Sequence, residues 1–116
     1  MAKPDKPEKR QQRVYTLLVE LGRSPEDDLP ADATGAALLI YATGVDEAEA
    51  VREAVAVLKT AGVAPLEVTS YGTLEERLAA GDTVPEEERD LMERALAENA
   101  VIVAQKTYYT DHNDGD

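Results

Sequence analysis

GAALLIYATG at residues 35–44, followed by VDEAEAVREAVAVLKTAG at residues 45–62, reads as one buried strand turning sharply into one amphipathic helix. Residues 36–43 place Ala36, Leu38, Ile40 and Ala42 on one strand face and Ala37, Leu39, Tyr41 and Thr43 on the other. A strand with one wet face would alternate apolar and polar, so this one is predicted to be central and covered on both sides. Gly44 permits the turn. Asp46 is a natural helix N-cap, and Glu49 three residues on completes a capping-box pattern. Ala48, Val51, Val55 and Leu58, with Ala61 or Gly62, recur at helical spacing as the predicted buried stripe. Gly62 stands where a helix ends in the left-handed region.

Working outward, residues 14–21 (VYTLLVEL) read as a strand with Tyr15, Leu17, Val19 and Leu21 on one face. Residues 22–34 (GRSPEDDLPADAT) form a long connection. Ser24 and Pro25 suit the start of a helical turn that Pro30 soon stops, and a structureless connection this long points to function or mobility. On the far side, residues 64–71 (APLEVTSY) alternate and open on Pro65, as an edge strand does. Thr73 and Glu76 make a capping box for a short helix running to Ala80 and closed by Gly81. Thr83 is the predicted cap of the next helix, residues 85–99, with Leu91, Met92, Ala95 and Leu96 as its stripe. Glu86, Glu87 and Glu88 crowd its first turn, where the helix dipole favours acids. Residues 100–107 open on AVIVAQ, a second strand apolar on both faces, and KTYYTDHNDGD reads as a polar tail.

The order is β-β-α-β-α-α-β, an α/β fold (or α+β sandwich) with a small four-stranded mixed sheet and helices packed on it. Each helix-bearing connection is predicted to be a right-handed parallel crossover. A chain reversal after the third strand sends the two helical layers to opposite faces. The alternative puts all helices on one face, leaving an apolar face that demands a dimer partner.

At 116 residues the chain has room for one core, and 43% apolar residues suffice to build it. The domain is expected at residues 14–110, between a disordered basic arm (1–13) and a disordered acidic tail (111–116). The core must be aliphatic, since five Tyr are the only aromatics. Without cysteine there is no disulfide, thiol catalysis or thiolate metal site. No apolar run approaches the roughly 20 residues of a membrane helix, and a cytoplasmic protein is the expectation. The arm carries five Lys/Arg against two acids, leaving −15 on the rest of a chain whose net charge is −12. Such a body repels nucleic-acid backbones and favours basic partners, although solubility or a high-salt cytoplasm explains acidity as simply.

The residue inventory is poor in catalytic groups, so no enzyme activity, cofactor or metal is expected. One His, no Cys and no Gly-rich phosphate loop remove most nucleophile, metal and nucleotide templates. His112 stands beside Asp111, Asn113 and Asp114. There Gly115 falls one place short of the EF-hand glycine, and the distant Glu is missing. Two sites remain. In one, the turn of Thr43, Gly44, Val45 and Asp46 meets Lys106, Thr107 and Tyr108 at the carboxyl edge of the sheet and holds a small anion. A lone Thr-Gly turn is more often a plain capping turn. In the other, Glu26, Asp27, Asp28 and Asp32 on the loop join Glu86, Glu87, Glu88 and Asp90 at a helix start to present carboxylates to a basic protein. A charge run is usually a solvated face. With catalysis unsupported, the leading expectation is a small acidic protein-binding module: an inhibitor, an immunity-type protein or an assembly subunit, with a homodimer possible. The alternatives are an anion-binding regulatory domain and a nucleic-acid mimic.

Overall fold

The structure, a computed structural model, describes residues 11–110 apart from residues 26 and 28. The expected acidic tail and all but the last three residues of the basic arm lie outside the described residues. The chain runs β1 (Arg13–Gly22), β2 (Ala33–Gly44), α1 (Glu47–Thr60), β3 (Ala64–Gly72), α2 (Leu74–Ala79), α3 (Glu86–Glu98) and β4 (Val101–Thr110). This is the predicted order of elements, in an α+β fold with one four-stranded sheet ordered β3-β1-β2-β4.

Every hydrogen-bonded strand pair is antiparallel, where a mixed sheet was expected. β2 and β3 both pair with β1, so α1 does connect two strands of the same direction, with β1 between them. The second helical connection departs from the predicted parallel crossover, because β4 runs opposite to β3. Two helices broken at Gly81 and Pro85 carry the chain across to the free edge of β2, and it returns in the other direction.

The helices cover opposite faces, as the reversal implied. On one face Leu17, Val19, Leu38, Ile40, Ala50, Ala54 and Leu58 form the main core. The α1 stripe is rotated from the predicted one: Ala50, Ala54 and Leu58 are buried, while Ala48 is exposed. Small alanines bring the helix axis close to the sheet, which the longer Val51 and Val55 at the flanks would prevent. On the other face Tyr41, Val84, Met92 and Ala95 form a smaller core with Val14, Leu74, Leu91 and Ile102 against it. Leu96, expected in this stripe, is 45% exposed.

α3 is shorter than the strands it lies on, so it covers only part of its face. Tyr41 is fully buried, whereas Ala37 and Leu39 on the same side of β2 are half-buried. The central position of β2 is as predicted, and the double covering holds at its carboxyl-terminal half. β3 is an edge strand, also as predicted. β4 is the second edge rather than an interior strand, and its apolar opening serves only Val101, Ile102 and Ala104, which pack inward.

Local signals placed the helix ends well. Asp46 caps α1 by accepting the Glu49 amide at 2.9 Å, and the Glu49 carboxylate takes the Val45 amide. Gly62 has a φ of 86°, which an L side chain resists. α2 carries the full reciprocal capping box between Thr73 and Glu76. α3 differs: Pro85, not Thr83, is its N-cap residue, with no side-chain cap bond. Val84 is buried in the smaller core, and anchoring it there starts the helix after Thr83.

Candidate functional site

The turn after β2 is fully employed in ending a strand and starting a helix. The Thr43 hydroxyl donates to the Ala95 carbonyl at 3.0 Å in a buried bond, tying β2 to α3. A Cβ on Gly44 would come within 2.6 Å of the Ala50 amide nitrogen, so the glycine is required for close packing of α1. Asp46 and Glu49 themselves occupy the amide-rich start of α1, the position an anion would take. Lys106 and Tyr108 are not brought to this turn. They pair with Leu38 and Ala36, and Leu38 lies five residues, about 17 Å of strand, before Thr43. The antiparallel direction of β4 is the reason.

The acidic residues divide into internal and external ones. Asp27 is nearly out of solvent. Its carboxylate accepts the Ser24 and Leu29 amides and pairs with Arg23 at 3.1 Å. The Ser24 amide first, then Arg23 and the Leu29 amide, hold its carboxyl below the usual carboxylate value. Arg23 also donates to the Pro30 and Ala33 carbonyls, so this knot orders the connection between β1 and β2 and seats Leu29 in the core. Glu26 and Asp28 lie outside the described residues. Glu88 is likewise an internal partner: it accepts the Tyr41 hydroxyl at 2.7 Å and an Arg77 N–H at 3.3 Å. Arg77 also reaches Thr16 and Asp82, linking β1, β2, α2 and α3. Asp32, Glu86, Glu87 and Asp90 remain exposed. The two clusters do not converge. Arg23 bonds Ala33 and Glu88 bonds Tyr41, and those anchors stand eight residues, about 26 Å, apart on β2.

A cleft of about 700 Å³ opens between the start of β1, the start of α2 and α3. Val14, Leu74, Met92 and Leu96 line it together with Arg13, Arg89, Glu75 and Glu93. Its charges are mixed, and Arg89 already donates to the Val84 carbonyl. It specifies no ligand class. No group of three metal-ligating side chains occurs among the described residues.

The feature that sequence reasoning missed is the far end of β4 and its place at the sheet edge. The strand was expected over residues 100–107, running out into a polar tail, yet it continues through Thr110, pairing Thr107 with Ala37 and Tyr109 with Gly35. Residues 105–110 are all exposed, and Tyr108 and Tyr109 keep 44% and 40% of their surface in solvent. The signal was present: Thr107, Tyr108, Tyr109 and Thr110 are all strong strand formers on a pleated surface.

The two sheet edges are built differently. β3 carries Pro65, which has no N–H, and Glu67 directly opposite Glu20. Its register shifts near both ends. These are devices that discourage further strand pairing. β4 has no proline and no acid; its pairing with β2 shifts register twice, at the extra residue Ala104 before the exposed run and between Tyr109 and Thr110 at its end. Lys106 lies 5.8 Å from the Tyr108 ring, on the face of the sheet that α1 covers elsewhere.

No helix among the described residues is long and apolar enough to cross a membrane. A search of curated proteins and a search of solved structures each return no match for this chain. A match to the family described as Domain of unknown function (DUF8846) spans residues 14–110, from the second residue of β1 to the last of β4, and the chain belongs to that family.

Proposed function

We propose that this is a non-enzymatic protein-binding module that works through the open edge of β4. The observation that carries the reading is the exposed six-residue run 105–110, free of proline and acid, opposite an edge that carries both. Such an edge offers a row of main-chain donors and acceptors to an added strand, while alternate side chains give selectivity. Lys106, Tyr108 and Tyr109 supply those side chains. A second copy of the chain is one such partner, in line with the homodimer the composition allows.

A second reading keeps the acidic surface as the contact for a basic protein. Exposure of Glu86, Glu87 and Asp90 together at the start of α3 favours it, since charge there speeds encounter without having to be buried. The two readings separate in one capture experiment from the native cell. Wild type, Thr107→Glu, and a triple variant with Glu86, Glu87 and Asp90 changed to Lys serve as baits. Under the edge reading Thr107→Glu loses a partner that the triple variant keeps. The reverse pattern, with the difference from wild type shrinking as salt rises, transfers the function to the carboxylates.

A further inference from the structure

We infer that β4 joins two copies of this chain, antiparallel across a two-fold axis at Thr107, into one continuous eight-stranded sheet. This rests on the reading of β4 as the binding edge and adds the identity of its occupant. Charge is the first reason. A chain with 24 Asp and Glu and a net charge of −12 repels its own copy over most of its surface. β4 contains no acid and one lysine, whereas the other edge strand, β3, carries Glu67, so β4 is the one sheet edge where two such bodies approach without carboxylates facing each other. A basic partner would need no such acid-free strip. Symmetry is the second reason: an antiparallel edge is complementary to itself, so one strand supplies both halves of a two-fold interface.

Side-chain placement selects the register. Lys106 and Tyr108 share one sheet face, opposite Leu38 and Ala36, and Gln105, Thr107 and Tyr109 share the other, opposite Leu39, Ala37 and Gly35. Centring the pair on Thr107 sets Lys106 against the partner's Tyr108 and Gln105 against the partner's Tyr109. Thr107 then faces the partner's Thr107. The ammonium group already held over a tyrosine ring within one chain thereby gains a second ring across the junction. Centring on Lys106 would oppose two lysines, which destabilises a strand pair. Centring on Gln105 would drive the pairing into the extra residue at Ala104. Moving the centre to Tyr108 shortens the paired run and takes Lys106 away from the ring.

Sedimentation of the full chain across a concentration series tests the pairing. Wild type should shift from the chain mass to twice that mass as concentration rises. Thr107→Glu, which sets two carboxylates face to face on the axis, should stay monomeric with the melting temperature of wild type diluted to monomer, because Thr107 is exposed in the single chain. The register has its own readout in a chain without cysteine. Thr107→Cys should cross-link to a disulfide dimer under mild oxidation, and Glu53→Cys on the exposed side of α1 should not. A wild type that remains monomeric, or a dimer that Thr107→Glu leaves intact, overturns the two-copy assembly. The reading of β4 as a protein-binding edge is decided separately, by whether the Thr107→Glu bait loses its partner.

Discussion

Ile40 and Leu39 are neighbours in an unbroken apolar run, and the sheet treats them differently. Ile40 is fully buried under α1, while Leu39 faces the part of the opposite side that α3 leaves open. Ile40→Ala should therefore cost about 2–5 kcal/mol in denaturant unfolding, and Leu39→Ala should fall below that range. Equal losses would mean that the open half-face is covered. Tyr41, the next residue, joins packing to polarity. Burial first, and the neighbouring Glu88 carboxylate second, push its hydroxyl up to about 12 from an ordinary value near 10. A raised value means that the folded state holds the proton more tightly than the unfolded chain. Its contribution is complete below pH 10 and lost as pH rises towards 12. Tyr41→Phe should cost about 1 kcal/mol at neutral pH. It should also flatten this alkaline loss in melting curves taken across that range, and an unaltered alkaline slope would remove Tyr41 as its source.

Among the elements, α1 and the connection between β1 and β2 show how polar side chains fix chain direction. Asp46→Ala deletes the acceptor for the Glu49 amide and should destabilise by about 1 kcal/mol. The connection is held by Asp27, whose carboxyl is kept below its usual value by the amides it accepts and by Arg23. The lowered value means that its contribution is present at neutral pH and lost as pH falls below about 4 through the folded value. Asp27→Asn should be less stable than wild type at neutral pH, with the difference shrinking in acid. Limited proteolysis within residues 23–32 should rise in parallel. A gap that stays constant with pH would show that charge plays no part in the knot.

The whole molecule carries a net charge of −12, and a compact body concentrates that repulsion. Exposed charges are screened beyond about 8 Å at physiological ionic strength. The melting temperature should therefore climb as salt is added from a low starting value, and levelling off only at high salt would reflect the spread of acids over the surface. A melting temperature indifferent to salt would mean that local pairs such as Arg77 with Asp82 and Glu88 already neutralise the field. At this scale too the sheet has one edge with a proline and an acid and one with neither, which is the asymmetry on which the proposed function depends.

Local chemistry determined the elements. Apolar runs set β1 and β2, Asp46 and the Thr73–Glu76 box set helix starts, and Gly62 set a helix end, because each of these is decided within a few residues of chain. The two-faced burial of the carboxyl-terminal half of β2 was legible for the same reason, since an apolar run on both sides favours cover on both; that α3 stops short of Ala37 and Leu39 was not. Strand direction and neighbours were not legible. An apolar opening such as Val101, Ile102 and Val103 looks alike in an interior strand and in an edge strand leaning on two cores, and only the return of the chain beside β2 decides between them. The acids could not be sorted either. Asp27 and Glu88 resemble Asp32 and Glu86 in sequence, but folding brings Arg23, Tyr41 and Arg77 to the first pair and leaves the second in water. The open edge at residues 105–110 belongs to the tertiary structure alone, since whether a row of main-chain groups is paired depends on which strands lie beside it.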